Sequence, residues 1–382
     1  MKVVMVSTFT LEPNRISGGV AGVCVYLAKA LSKLEGVQVE VIAVQTLVDK
    51  ETIVNFDGIT VHHLAFDQSV TPMQRLISGI PDAVREKLAT MQFDIVHVQG
   101  LARLAQKLDY PRILTIHGIP ERDVLFVKRR WNRLRSLAVG MIEGSARKQI
   151  KHIISISPYV RNLLAGQLRG KVYDIENPVA DSFFDCRHEP QPGRILFGGQ
   201  VIPRKNVLGL IEALARIVGK HPVAQLRIAG EWTDASYVQS CREAASRLGV
   251  AHKVHFLGNL SVDELKAELS AAACLALCSF QETAPVIIEE AMAIGVPVVA
   301  SRICGIPYMV ADGKTGRTVD PRNIQSIADA FCDVLDPQKG SEMSALARAA
   351  ASTRFRASVV AARTLAAYED VLRGMTSAGG KP

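Results

Sequence analysis

Cys278-Ser-Phe-Gln-Glu-Thr-Ala-Pro-Val-Ile-Ile-Glu-Glu-Ala-Met-Ala-Ile-Gly-Val-Pro-Val-Val-Ala-Ser301 reads as a strand end, a loop, a short helix and the start of another strand. The helix begins near Pro285, whose fixed φ suits a first turn, and Thr283 is a candidate N-cap. Gly295 and Pro297 end it after about three turns. Its polar residues are Glu289 and Glu290. Three and four positions from Glu289 stand Pro285, Val286, Met292 and Ala293; around Glu290 stand Val286, Ile287, Ala293 and Ile294. A carboxylate on an apolar helix face is costly without hydrogen bonds, so at least one of these acids needs a specific partner. The competing reading, an acid that complements the helix dipole or lies on one solvated face, has equal weight on spacing alone.

The pattern around this segment repeats. Runs at Arg194-Ile-Leu-Phe, Gln225 to Ala229, Val254 to Leu257, Cys274 to Cys278 and Val298 to Ala300 alternate with helical stretches, which predicts a doubly wound α/β domain. Upstream, Lys2 to Ser7, Val39 to Val44, Ile95 to Val98, Ile113 to Ile116 and Ile153 to Ile156 are short apolar runs. Segments long enough for crossover helices separate them, including a helical stretch from Ala21 to Leu34. They predict a second parallel sheet covered on both faces. Between Pro178 and Gly193 the pattern breaks into Asp, Pro, Gly, His and Glu, which places a linker there. The expected architecture is two Rossmann-like domains, 1–180 and 190–355, facing each other across a cleft, with 356–382 as a C-terminal helix. That helix carries Val359, Val360, Leu365, Tyr368 and Leu372 as one apolar stripe. Ligands of such sheets bind at the carboxyl ends of strands, beside Gly turns and helix N-termini.

Composition narrows the function. The 382 residues favour two domains, and 48% hydrophobic with 21% charged residues is a globular balance. Val3 to Val6 is too short for a signal peptide, and no apolar run approaches the roughly 20 residues that span a bilayer. A cytoplasmic protein is expected. Seven cysteines without a C-x-x-C pair suggest reduced thiols and no metal site. The formal charge of +8 favours anionic partners without choosing among nucleotides, phospholipids and nucleic acid. No nucleic-acid module is visible, and the absence of G-x-G-x-x-G after the first strand argues against a dehydrogenase.

Glu282, seven intervening residues and Glu290, followed by Ala-Met-Ala-Ile-Gly-Val-Pro-Val-Val-Ala-Ser and Asp312-Gly-Lys-Thr-Gly, resemble the signature of the retaining glycosyltransferases of family 4. Gly18-Gly19-Val, Asp94-Ile-Val-His-Val, Leu114-Thr-Ile-His-Gly, Asn177-Pro-Val, Pro203-Arg-Lys-Asn and Phe256-Leu-Gly extend the resemblance through both halves in order. It implies a GT-B fold, a nucleoside diphosphate sugar as donor, no cofactor, and a C-terminal helix that returns to the N-terminal domain. Glu290 would accept from two ribose hydroxyls and Glu282 from hydroxyls of the donor sugar. The amides of Val286 and Ile287 would meet the diphosphate, and Thr283 and Ala284 would line the sugar site. Pro285 departs from the Gly that commonly stands there, which removes one backbone donor. Lys205 would neutralise the leaving group; its bland reading is a solvated loop lysine. The arginine usual five residues before it is Gln200 here, so Arg204 supplies the missing charge or Gln200 binds as a neutral donor. Leu260 is a candidate to pack against the base, or an ordinary core leucine.

In the first half, Gly18 and Gly19 are candidates to bring backbone against a diphosphate or sugar; a turn needing Gly for backbone reasons is the alternative. His117 ends a strand, where a lone histidine is more often structural; the resemblance makes it a donor-sugar contact. His97 ends a strand too and is set aside. Lys128-Arg-Arg-Trp-Asn-Arg-Leu-Arg135 combines five basic residues with a tryptophan, which suits either a solvated helix face or peripheral contact with an anionic membrane. The resulting expectation is transfer, with retention, to a sugar or lipid-linked acceptor and without a metal ion. An epimerase or hydrolase of the same architecture, and a non-catalytic nucleotide-sugar or anionic-lipid binding protein, are the rivals.

Overall fold

Val3, Val4, Met5 and Val6 are all buried, as an interior strand of a sheet covered on both faces requires. The computed structural model describes residues 1–11, 18–44, 48, 50–66, 79–106, 108–126 and 130–378. The chain divides into two units, Met1–Pro178 with Ala357–Pro382, and Val179–Arg356.

The first unit is built on β1 (Lys2–Ser7), β2 (Gln38–Ala43), β3 (Thr52–Phe56), β4 (Ile59–His63), β5 (Ile95–Gln99), β6 (Arg112–Ile116), β7 (His152–Ser155) and β8 (Lys171–Asp174). Their order is β3-β4-β2-β1-β5-β6-β7-β8. The sheet is not parallel throughout, as the sequence reading had it: β3 and β4 pair antiparallel. Asp57 and Gly58, at φ 51° and 87°, make the two-residue left-handed turn that joins twisted hairpin strands. β3 is half-exposed and alternates, so it carries no continuous apolar run to betray it. Strand order reverses on either side of β1, and the helix Gly19–Leu31 follows β1 on that side. It starts two residues earlier than expected because Gly18, at φ 87°, supplies the turn that admits it.

The C-terminal helix Ala357–Ala378 packs on Gly19–Leu31 within this unit. Its buried stripe is Val360, Ala361, Thr364, Ala367, Tyr368 and Val371. Of the expected stripe only Val360 and Tyr368 are buried; Val359, Leu365 and Leu372 are half-exposed. Small side chains let the two helices approach closely, which moves the larger aliphatics to the rim.

The second unit holds β9 (Arg194–Gly198), β10 (Gln225–Ala229), β11 (Val254–Gly258), β12 (Cys274–Leu277), β13 (Val298–Ser301) and β14 (Gly316–Val319). The order is β11-β10-β9-β12-β13-β14, every pair parallel. Chain order reverses between β9 and β12, so the loops after these two strands open the crevice where ligands of such sheets bind. Backbones crowd there. Gly199 N donates to Ala229 O (2.9 Å) and Gly230 N to Gly258 O (2.7 Å). A Cβ on Gly230 would lie 1.9 Å from Gly199 O, and one on Gly198 would lie 2.7 Å from Ile287 Cγ1. At Gly230 the obstacle is backbone, and its φ of 141° is itself poorly open to other residues. Gly230→Ala should therefore lower stability by about 2 kcal/mol or more in urea unfolding. An unchanged midpoint would show that the turn yields without cost.

Candidate active site

The loop after β9 runs Gly199, Gln200, Val201 and Ile202 into a tight turn at Pro203–Lys205, which Asn206 closes in the left-handed conformation (φ 58°). Asn206 is 7% exposed, and its Nδ2 donates to Pro321 O (2.8 Å), so the turn is anchored behind the site. The loop after β12 comes alongside: Phe280 N donates to Arg204 O (2.8 Å), and Arg204 Nη1 donates to Gln281 O (2.6 Å). These contacts bring three charges together. Lys205 Nζ stands 2.6 Å from Glu282 Oε1 and Arg204 Nη1 3.4 Å from the same oxygen. The side chains of Lys205 and Glu282 are only 12% and 9% exposed, so the lysine is not a solvated loop residue. Two cations face one carboxylate in a dry setting where attraction is strong and desolvation costly.

The helix Val286–Ile294 begins at the same place. Its N-cap is Pro285, extended at φ −72° and ψ 116°, without a capping side chain. Thr283 is therefore not the N-cap expected from the sequence. Gly305 N donates to Glu282 O (3.0 Å), and a Cβ on Gly305 would fall 1.5 Å from Thr283 O. That packing fixes the bend at Thr283, and the first helical residue is Val286. Val286 and Ile287 are half-buried, with amides in the first turn, where the helix dipole favours an anion. Glu289 and Glu290 are 1% and 6% exposed, so the reading of one solvated face falls.

Lys205, Arg204, Glu282 and the start of this helix are thus brought together, with Thr283 half-buried and Ala284 buried in the connecting loop. Gln200 is exposed on the Gly turn. The side chain from the β9 loop that joins Lys205 at Glu282 is Arg204. Leu260 is half-buried just beyond β11, so it is not an ordinary core leucine.

In the first unit Gly18 and Gly19 are exposed at the start of their helix. A Cβ on Gly18 would meet nothing within 4 Å, so conformation rather than space selects glycine there. His117 is 8% exposed, and its Nε2 lies 2.6 Å from Gln99 Oε1. His97, fully buried, contacts Thr115 Oγ1 through Nε2 (2.7 Å) and the Tyr368 hydroxyl through Nδ1 (2.6 Å). Both rings fit these partners when neutral and protonated on Nε2. Burial pushes His117 down to about 4, against a hydrogen bond with Asn177 that favours the charged form. Burial and the neighbouring His117 push His97 to about 3. Gln99, Asn177 and Tyr368 were not assigned from sequence as partners of these rings. The register could have found Gln99: β5 and β6 align Gln99 with Thr115, so His97-x-Gln99 and Thr115-x-His117 share one sheet face. Among the described residues no cluster of His, Cys, Asp and Glu could hold a metal ion, and no helix is long and apolar enough to cross a membrane. Of the basic run, Lys128 and Arg129 lie outside the described residues.

Residues 180–352 match the family described as glycosyl transferases group 1, and residues 17–183 match that described as Glycosyltransferase Family 4. The chain is 33% identical over 292 residues to a glycogen synthase of Mycobacterium tuberculosis, an alignment covering 74% of this chain and 70% of that protein. It belongs to this glycosyltransferase family. It is also 34% identical over 145 residues to the D-inositol 3-phosphate glycosyltransferase of Corynebacterium glutamicum, across 37% of this chain. That match spans about a third of the relative's length, 35%. A sucrose-phosphate synthase from Thermosynechococcus elongatus has a similar structure, with a TM-score of 0.82 and 19% identity over 98% of this chain and 99% of that one. The fold is GT-B.

The histidine pair sets a pH dependence. Both folded-state values lie below the ordinary 6.5, so the unfolded chain binds more protons between about pH 6.5 and 4. The stability contributed by the neutral rings is whole above pH 6.5 and is lost as pH falls through that window. The thermal midpoint should drop between pH 7 and pH 5 by several degrees, and less steeply in His97→Gln. Parallel slopes for wild type and variant would refute the assignment.

Proposed function

We propose that this chain is a retaining glycosyltransferase, transferring a sugar from a nucleoside diphosphate sugar to an acceptor hydroxyl in glycan, glycolipid or polysaccharide synthesis. The observation that carries the reading is the convergence of Lys205, Arg204 and Glu282 on the start of the Val286–Ile294 helix, at the point where strand order reverses. A diphosphate placed there would meet two cations and the amides of Val286 and Ile287. Glu282 would give up its contact with Lys205 and accept from hydroxyls of the sugar. Glu290, one turn into the helix, would take the vicinal ribose diol. His117 of the first unit is assigned to the sugar; Gly18 and Gly19 are assigned to the sugar or diphosphate, and Leu260 to the base.

In the reaction the bond from the anomeric carbon to the diphosphate breaks, with the electron pair leaving on the phosphate oxygen. The acceptor oxygen bonds to the same face of the sugar, and its proton passes to the departing diphosphate. No enzymic carboxylate becomes covalently bound. The charge that grows on the leaving group is met by Lys205 and Arg204, so the reading requires no divalent ion. The acceptor is a sugar or a lipid-linked molecule, and the protein works in the cytoplasm. The names of the matched relatives support transfer over epimerisation or simple binding.

Lys205→Ala should lower kcat by about a hundred-fold or more with a smaller effect on KM, because its attraction to the diphosphate grows in the transition state. A change confined to KM would reject that role. Glu290→Ala should weaken nucleoside diphosphate binding about ten- to hundred-fold in calorimetry against UDP, GDP and ADP, as two charge-assisted hydrogen bonds are lost. Unaltered affinity for the preferred nucleotide would sink the ribose assignment.

A further inference from the structure

The helix Asn132–Arg147 faces the wrong way for a surface helix of a globular unit. Two of its charged residues, Glu143 and Arg147, point in. Glu143 is 4% exposed and accepts from Ala102 N (2.9 Å). The Arg147 side chain, 1% exposed, donates to both oxygens of Glu121 (2.6 and 3.0 Å) and to Gln167 Oε1 (2.8 Å). Its large apolar residues point out: Leu134, Leu137 and Met141 are 60%, 64% and 71% exposed. Their spacing of three and four places them on one stripe. Trp131, 70% exposed, stands at the N-cap with a left-handed backbone (φ 65°). The buried Arg147 and Glu143 fix this orientation, because turning the leucines inward would pull two satisfied charged groups out of their partners.

The stripe is flanked by cations. Arg133 and Arg135 are exposed on its two sides, Arg130 is exposed before the helix and Lys148 just after it, and no acid occurs from Asn132 to Ile142. An apolar stripe bordered by basic residues, with a tryptophan at its end, is the chemistry of a helix lying in the headgroup region of a bilayer. A protein partner or a second copy would have to bring acids to this border. This chain carries a net charge of +8. We infer that the outer face of Asn132–Arg147 docks on an anionic lipid surface, with Trp131, Leu134, Leu137 and Met141 entering the headgroup layer. The inference does not require the transfer reading.

Full-length protein is co-sedimented with vesicles of phosphatidylcholine alone and of phosphatidylcholine mixed with phosphatidylglycerol, at low and high salt. Binding should favour the anionic vesicles and weaken with salt. Leu134→Ser/Leu137→Ser/Met141→Ser and Arg133→Glu/Arg135→Glu should each reduce it about ten-fold or more. In a Trp232→Phe background the emission of Trp131 should shift to the blue on anionic vesicles. All altered side chains are exposed, so thermal midpoints and nucleotide binding should be unchanged; this separates failure of docking from failure of the donor site. Equal binding to neutral vesicles, or binding indifferent to the serine substitutions, overturns the inference. So does a dimer in sedimentation velocity that the serine variant abolishes while wild type ignores lipid.

Discussion

Close packing at three glycines is the constraint on which the second unit's site depends. Gly230 lies where a Cβ would touch Gly199 O, Gly198 where it would touch Ile287, and Gly305 where it would touch Thr283 O. Gly230 lets the loop after β10 pack on the β9 loop, Gly198 lets β9 lie against the helix start at Ile287, and Gly305 lets the loop after β13 pack on the β12 loop. A buried ion pair offsets its desolvation only when geometry is tight. Lys205 and Glu282, 2.6 Å apart and nearly dry, have that geometry because the backbones carrying them cannot drift. The bonds of Phe280 N to Arg204 O and Arg204 Nη1 to Gln281 O tie one loop to the other directly.

The two units bury polar groups in different ways. In the second, unlike charges face each other at Lys205, Arg204 and Glu282. In the first, His97, Thr115, Gln99 and His117 meet as neutral donors and acceptors, with Tyr368 of the C-terminal helix closing one end. Desolvation penalises a charged imidazole, and burial is the largest influence on both rings. A neutral histidine in this setting can hold a hydroxyl through a fixed hydrogen bond, but it is a poor proton acceptor near neutral pH. Under the proposed function His117 therefore orients the sugar and is not a general base.

Much of this was legible in the sequence, because parallel strands buried on both faces read as unbroken apolar runs. Lys2–Ser7 and Val298–Ser301 are of that kind. The hairpin β3-β4 was not, since its outer strand alternates and its turn depends on Asp57 adopting positive φ. The Thr283 cap failed for a tertiary reason: Gly305, distant in sequence, packs against Thr283 O and bonds Glu282 O, so the chain bends at Thr283 before the helix begins. Glu282 and Lys205 could be nominated from spacing and resemblance, but their contact could not, because it requires two crossovers to bring the loops together. The inverted helix shows the limit most clearly. Leu134, Leu137 and Met141 would pass for a core stripe in any reading by period, and only the partners of Glu143 and Arg147 reveal which side faces solvent.

The direct Lys205–Glu282 contact also bears on how such a site could favour the transition state over the bound donor. Lys205 is paired with Glu282, so under the proposed function a ground-state donor would compete with that carboxylate for it. As the sugar departs, negative charge accumulates on the diphosphate while the anomeric centre becomes positive. Under the proposed function, attraction of Lys205 to the leaving group would then rise, and Glu282, turned to the sugar, would come to lie near growing positive charge. Both changes act in the same direction. An interaction that strengthens along the reaction lowers the barrier, whereas one equally strong at the start only tightens binding. Under the proposed function, the Lys205–Glu282 pair would thus discount donor binding and act chiefly in the step in which charges separate.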